Sequence, residues 1–359
     1  MKLTIEPSVF RNALKTIAPS ISSNTVIPIL ENIRCNFIEN KMEIRGTNLN
    51  LTICVDVVCK SKDEGVFLLP FKKINGIVGL AEYPIEITID KKIEIKIGRE
   101  KFNFGIPVDS INYPSLNEGE YLETFPVSSD FISNLKSSTK FTTTDKSGFD
   151  PLRNVCIDLK GNETAIISTD RNGFFYYSDN IETKNKLTVT TDSVFINSLP
   201  LIEDGEISLS ERTIRLSNES VRIIATLSEH KFFNYSPALT EHTANCLINR
   251  VALLDSLNQI VNLKVETSVI SISFKKDFMK IDFSEPEYDN DYTNTIPCDH
   301  SVELDSIMLG AVILRNLIQS IPQEEKIRLT FKDEKTQVYL DSEDGKNMCF
   351  IAPVVYINN

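Results

Sequence analysis

The chain has 359 residues, 41% hydrophobic and 25% charged, with 38 Lys+Arg against 50 Asp+Glu. At roughly 100–200 residues per domain, this predicts a folded protein of two or three domains and sets disorder aside. The net charge of −12 argues, taken alone, against coating nucleic acid or anionic membrane, because neutralising phosphates needs a basic surface.

In chain order, Leu3-Thr-Ile-Glu-Pro-Ser-Val-Phe-Arg-Asn-Ala-Leu-Lys reads as a short strand, a proline breaker and a helix. Pro7 suits the first helical turn, and Phe10, Leu14 and Ile17 share one face. A second unit, Phe67-Leu-Leu-Pro-Phe-Lys-Lys-Ile-Asn-Gly-Ile-Val-Gly-Leu, follows about 64 residues later and leads into the alternating strand Ile85-Glu-Ile-Thr-Ile. Both units return. Phe125-Pro-Val-Ser-Ser-Asp-Phe-Ile-Ser-Asn-Leu-Lys matches the first, with Ser128 and Ser129 as possible caps. Leu187-Thr-Val-Thr-Thr-Asp-Ser-Val-Phe-Ile-Asn-Ser-Leu matches the second. The third copies begin at Cys246 and Val302, and Leu254, Leu257 and Val261 are expected to form the buried face of the fifth helix.

Two landmarks fix the period. Gly46-Thr-Asn recurs as Ser168-Thr-Asp, and Tyr113 of Asn-Tyr-Pro recurs as Tyr235 of Asn-Tyr-Ser-Pro, both 122 residues on. The expected organisation is α+β, with three similar modules at residues 1–121, 122–242 and 243–359. Each holds two helices packed on antiparallel sheets. Within a module the two halves resemble one another, which suggests an internal pseudo-two-fold.

Charge is graded along the modules: 15 basic and 15 acidic residues, then 12 and 17, then 11 and 18. A Lys-rich strand pair carries Lys91, Lys92, Lys96 and Lys101 beside Phe102 and Phe104; an acidic run in module three carries Glu285 and Glu287. One reading is solvated edges guarded by lysine. The other is docking of one edge on the other in a second copy, with Ile260 and Val261 adding apolar contact and ring closure after two chains. Basic residues also recur on the expected helices: Arg11 and Lys15, Lys72 and Lys73, Lys136 and Lys140, Arg250 and Arg315. The pairs spaced i, i+4 project from one helical face. If the helices of six modules turn to a common centre, its lining is positive while the acid stays outside.

Other classes find less support. The seven cysteines (Cys35, Cys54, Cys59, Cys156, Cys246, Cys298, Cys349) show no C-x-x-C and fit buried, reduced thiols in a cytoplasm. His230, His242 and His300 are too sparse for a zinc or triad site, and no glycine fingerprint for phosphate appears. No stretch nears the ~20 apolar residues of a membrane span, and no apolar leader follows Met1–Lys2. No catalytic residue, metal or cofactor is expected, and no membrane partner. A carboxylate hydrolase using Asp145, Asp150 and Asp170 is an alternative, although Asp170 is better read as a turn residue. A β-rich three-domain protein-binding scaffold without DNA encirclement is a second alternative.

Val26-Ile-Pro-Ile-Leu-Glu-Asn-Ile followed by Gly46-Thr-Asn-Leu resembles the early signature of the bacterial DNA polymerase III β subunit, the sliding clamp. Pro70-Phe-Lys-Lys, Lys101-Phe-Asn-Phe, Asn112-Tyr-Pro-Ser-Leu, Ser168-Thr-Asp, Phe233-Asn-Tyr and Phe350-Ile-Ala-Pro-Val continue the likeness in order over essentially the whole chain. The resemblance implies a non-catalytic, head-to-tail homodimeric ring of six modules around double-stranded DNA. Its implied role is processivity, with the replicative DNA polymerase catalytic subunit, a clamp loader and other clamp-binding-motif proteins as partners. It implies a peptide cleft between modules two and three at Leu152, Thr169, Phe174, Phe233, Ala238, Ile351, Ala352 and Pro353. Arg11, Lys15, Lys72, Lys73, Lys136, Lys140 and Arg153 are the DNA-facing candidates. Departures are visible: Arg171-Asn-Gly-Phe stands where Gly-His-Arg-Leu is usual, Phe233 replaces a proline, and Asn24 stands where a DNA-contacting arginine is often found.

Overall fold

The computed structural model describes the chain except residues 23–25, 62, 107–111, 144–149, 203, 240–243, 264–267, 276, 286–289, 301–303, 322–324, 332, 334, 343–344 and 355–359. Asn24, Asp145, His242, Glu287 and Val302, named above, lie outside the described residues. Among the described residues there are six α-helices: α1 Pro7–Ile17, α2 Phe71–Gly79, α3 Ser129–Ser138, α4 Ser193–Ser198, α5 Arg250–Asn262 and α6 Ala311–Ser320. They follow the expected order.

The chain forms two compact units: Met1–Ile132 with Val194–Leu227, and Ser133–Ser193 with Ser228–Asn359. In the first unit, a five-stranded sheet runs Lys60–Ser61, Lys2–Ile5, Ile85–Ile89, Ile93–Ile97, Glu100–Phe104. An eight-stranded sheet runs Tyr121–Val127, Gly205–Ser210, Thr213–Ser217, Val221–Thr226, Leu51–Val58, Lys41–Thr47, Asn32–Ile38, Gly65–Pro70. The second unit holds one twelve-stranded sheet: Leu187–Asp192, Asn154–Leu159, Thr164–Thr169, Gly173–Asp179, Asn347–Ile351, Val338–Asp341, Lys326–Phe331, Ala244–Asn249, Asn290–His300, Phe278–Glu285, Val269–Lys275, Leu304–Gly310. Sheets therefore run across the repeat boundaries at 121 and 242.

Each crossing is an antiparallel seam. Val221–Thr226 pairs with Leu51–Val58, placing Ile223 opposite Ile53. Asn347–Ile351 pairs with Gly173–Asp179, placing Cys349 opposite Phe175. All four side chains are fully buried. Since Leu51 and Gly173 are 122 residues apart, the two seams are one design used twice.

Helix placement follows local chemistry. Pro7 starts α1, where its missing N–H leaves no bond unmade. Phe10, Ala13, Leu14 and Ile17 are buried, and each large side chain contributes about 1.5–3 kcal/mol. Where α1 ends, Gly46 approaches so closely that a Cβ would collide with Ser20 Oγ and meet Ile17 Cγ2 at 2.6 Å. Its counterpart Ser168 instead donates its hydroxyl to Ser138 O at 2.7 Å. Ser128 Oγ accepts the Phe131 N–H at the start of α3, and Asn249 Oδ1 accepts the Ala252 N–H at the start of α5. The buried face of α5 is Leu253, Ser256, Leu257 and Ile260; of the expected Leu254, Leu257 and Val261, Leu257 is on it and the other two lie one residue beyond. The Asn249 cap fixes where the helix begins, and that sets which side meets the sheet. Six of the seven cysteines are buried and Cys298 is partly so; all are free thiols.

Candidate functional site

The outer face of the second seam carries an aromatic patch. Alternation along Gly173–Asp179 sends Phe174 and Tyr176 to one face and Phe175 and Tyr177 to the other. Across the seam Phe350 and Met348 share the face of Phe174 and Tyr176. Phe174 stacks on Phe350, with centroids 4.7 Å apart and planes 9° off parallel, and Tyr339 lies 5.1 Å from Phe350. Cys156, Ala165, Ile167, Phe174 and Tyr235 form the buried base, against which Tyr176, Phe232, Ala238, Leu239, Met348 and Phe350 pack partly exposed. The segment from Phe232 to Leu239 is tied down at two points. Tyr235 Oη donates to Asp158 Oδ2 at 2.5 Å, and Tyr339 Oη reaches Ala238 O at 3.5 Å.

A polar rim borders this patch. Lys160 Nζ donates to Glu163 Oε1 at 2.6 Å and Tyr176 Oη at 3.2 Å, and lies over the Tyr176 and Tyr235 rings at 5.4 and 5.9 Å. Burial, then the bond to Asp158 and its negative charge, hold the Tyr235 hydroxyl above the usual tyrosine range. Burial alone would lower the Lys160 ammonium, but its bonds to Glu163 and Tyr176 outweigh this and raise it. An apolar floor with a few oriented polar groups suits docking of a peptide with large apolar side chains.

Of the cleft residues expected from the resemblance, Phe174 and Ala238 meet in this cluster. Phe174 is only 2% exposed, so it is floor, not lining. Ile351 is a correction. Fully buried, it stands opposite Gly173 on the inner face, one alternation step from Phe350. Leu152 and Thr169 are likewise buried. Thr169 Oγ1 donates to Gly173 O and accepts the Arg171 N–H, while Ala352 donates its N–H to Asn172 O, so Thr169, Ala352 and neighbouring Pro353 gather at the 170–173 turn. Phe233 is 37% exposed and stacks on Phe232 at 4.3 Å. Tyr176, Met348 and Phe350 were not among the expected cleft residues, although the alternating pattern of both strands carries them. Asp170 Oδ1 accepts the N–H groups of Asn172 and Gly173; it builds a turn, as expected.

The helices are net cationic because they are poor in acid. Across α1–α6 there are seven Lys and Arg and two Asp, net +5, while the chain is −12, leaving −17 elsewhere. Lys15, Lys72 and Lys73 are exposed. Arg11 is exposed too, and its Nη2 donates to Ala81 O at 2.7 Å and Val78 O at 3.4 Å, so the guanidinium also closes the C-terminal end of α2. Arg250 does the same for α6 through Ile318 O at 3.2 Å. Lys136 is half-buried, and burial lowers its ammonium; Lys140, in the 3-10 turn Thr139–Phe141 after α3, is lowered by burial and by the Arg315 charge. Arg153 closes the 3-10 turn Asp150–Arg153 and is half-buried.

Among the described residues six strands end sheets, and Asn290–His300 is paired along only part of one side. Glu100–Phe104 ends the five-stranded sheet. Asn290–His300 pairs along one side with Phe278–Glu285, but on its other side only Cys298–His300 pair, with Ala244–Asn249. Phe102 and Phe104 are half-buried, and Lys91 and Lys92 are exposed. Lys96 pairs with Glu86 at 3.5 Å and Lys101 with Glu94 at 3.7 Å, so both lysines are partly neutralised in their own sheet. Glu285 Oε2 accepts from Asn290 Nδ2. Ile260 is fully buried and packs inside its own unit, which corrects its expected place on an interface; Val261 is half-buried.

Repeated antiparallel sheets joined edge to edge, with cationic helices, define the α+β fold of the sliding-clamp class. The chain is similar over 99% of its length to the whole of a sliding clamp from Pseudomonas aeruginosa solved bound to griselimycin (TM-score 0.90, 17% identity). The match to the Bacillus subtilis clamp is equally complete, with TM-score 0.89 and 17% identity. The profile described as "DNA polymerase III beta subunit, N-terminal domain" matches residues 1–117. The Rickettsia felis beta sliding clamp is 25% identical over 303 residues, 78% of each chain, and a Buchnera aphidicola clamp is 20% identical over 98% of each. At 20–25% identity to these relatives, the chain has the fold of a divergent beta sliding clamp (DNA polymerase III β subunit) over essentially its whole length.

Proposed function

We propose that two copies close head to tail into a ring around duplex DNA and tether the replicative DNA polymerase, acting as a non-catalytic processivity factor. The observation that carries this is the repeated seam. Each in-chain junction pairs a strand of the Leu51–Val58 type with one of the Val221–Thr226 type, and one of each type is left open. The edge Glu100–Phe104 corresponds to Val221–Thr226, since Phe102 lies opposite Ile95 as Ile223 lies opposite Leu216. The edge Asn290–His300 corresponds to Leu51–Val58, since Tyr292 lies opposite Phe283 as Ile53 lies opposite Gly46. Transferring the seam register puts Phe102 of one copy opposite Tyr292 of the other. Two such contacts close the assembly and leave no open edge of this kind.

The charge distribution supports the DNA role. Lys15, Lys72, Lys73, Lys136 and Lys140 are the proposed phosphate contacts, working with Arg153 and without sequence readout. The patch of Phe350, Tyr176, Met348 and Ala238 is the proposed site for the apolar peptide of polymerase, clamp loader or other clamp-binding proteins. Light scattering should give twice the 40.6 kDa chain mass. Primer extension on circular DNA with the matched polymerase and loader should lengthen when the protein is added. A monomer at micromolar concentration, or unchanged product length, overturns the reading.

A further inference from the structure

The first seam, pseudo-equivalent to the aromatic one, is built from opposite chemistry. One row of directly paired residues crosses it from strand to strand: Arg34 opposite Arg45, Arg45 opposite Cys54, and Cys54 opposite Arg222. The matching row at the second seam is Cys156, Ile167, Tyr176 and Met348, which is largely apolar. Like charges directly opposite one another on a sheet are destabilising. Three guanidiniums here converge on a single carboxylate. Glu43 Oε1 accepts from Arg45 Nη2 at 3.1 Å and lies 3.9 Å from Arg34 Nη1, and its Oε2 accepts from Arg222 Nη2. The nearby Asp56 already pairs with Lys41 at 3.9 Å. The cluster therefore keeps two uncompensated positive charges, and the Arg45 Nε–H is buried with no acceptor.

We propose that this arginine row is a docking site for an acidic peptide segment of a partner protein, distinct from the aromatic patch. Guanidiniums present planar forks that take carboxylates in pairs, and the row is aimed outward, with Arg222 44% exposed. Three interstrand steps separate Arg34 from Arg222, roughly 14 Å at about 4.8 Å each. An extended peptide of about 3.3 Å per residue spans that distance with acids about four residues apart. Duplex DNA is disfavoured on this face, because its phosphates, one charge per ~1.7 Å, would be forced against Glu43 and Asp56. The inference stands apart from ring closure, since its residues lie on the eight-stranded sheet and the two closing edges belong to the other sheets.

The test is fluorescence anisotropy of the full chain with a labelled hexapeptide bearing two glutamates at each end. Saturable binding at least tenfold tighter than that of the same peptide with glutamine is expected. Arg222→Gln should weaken it at least fivefold, whereas Arg212→Gln, an equal charge change at an exposed residue of the same unit outside the row, should leave it unchanged. Glu43→Gln, which removes the competing carboxylate, should tighten binding; should that variant fail to fold, the exposed Arg222→Gln carries the reading alone. Equal binding of the acidic and glutamine peptides overturns the proposal, and so does indifference to Arg222→Gln. Displacement by an octanucleotide at lower concentration than by unlabelled peptide also overturns it, assigning the row to nucleic acid.

Discussion

The subunit contact makes the sharpest prediction, because its register is copied from two seams already present in the chain. At those seams the inward residues Ile223 and Cys349 are 0% exposed, whereas Phe102 on the open edge is only half-buried. Closing the edge removes roughly 50 Å² of the Phe102 ring from water, worth about 1.2 kcal/mol at ~25 cal/mol per Å². An aromatic contact with Tyr292 of the second copy adds about 0.5–1.5 kcal/mol. Phe102→Ala should therefore weaken dimerisation by about 2 kcal/mol, or about 30-fold in Kd. Sedimentation equilibrium over a dilution series reads this directly. Tyr292→Ala should act similarly, and the double variant should fall short of the sum by about 1 kcal/mol, because residues in contact are not additive. Full additivity, or a Kd for Phe102→Ala within threefold of the parent, refutes the transferred register.

Four further outcomes follow from particular side chains. Lys72→Gln with Lys73→Gln should reduce the slope of log affinity for DNA against log salt by up to about 2, at about 0.9 for each phosphate no longer neutralised; binding titrations on duplex DNA check this. Arg11→Ala should leave that slope unchanged but lower thermal stability by about 1 kcal/mol, since its guanidinium closes α2 through Ala81 O and Val78 O. Tyr235→Phe removes a hydrogen bond to a carboxylate and should destabilise the second unit by about 1–2 kcal/mol, discounted for partial exposure, with weaker peptide binding at the aromatic patch. Phe350→Ala should abolish detectable binding of an apolar clamp-binding peptide in calorimetry while Phe233→Ala, at the exposed margin, should weaken it only a fewfold.

Much of the fold was legible because the repeat multiplies a weak signal. One strand–proline–helix unit is unremarkable, but six in order with landmarks 122 residues apart define an architecture. The sheet crossings were not legible, since hydrogen-bond partners of an edge strand leave no mark in its own sequence. For that reason Ile260 reads as an available apolar residue, yet the Asn249 cap turns it into the core. Likewise Arg11 looks like a surface cation at helical spacing, and only the packing of α1 against α2 shows that carbonyls receive it. The aromatic patch was half visible. Tyr235 stood out as a landmark, but Phe350 and Tyr176 act only through a seam joining residues more than 170 positions apart.

The two in-chain seams also show what a repeat allows. Their backbone register is constrained, because a one-residue slip would turn the buried Ile53–Ile223 and Phe175–Cys349 pairs out to solvent. The outward row is under no such constraint, so its chemistry can diverge without disturbing the sheet. At the second seam it became aromatic, with the Tyr235–Asp158 bond holding the crossing segment in place. At the first it became a row of arginines around Glu43, although directly opposed cations destabilise a sheet. A locally unfavourable choice on an otherwise consistent fold is where function is expected. The net charge of −12 fits the same logic: it is a sum over surfaces of opposite sign, with helices at +5, and reports neither surface by itself.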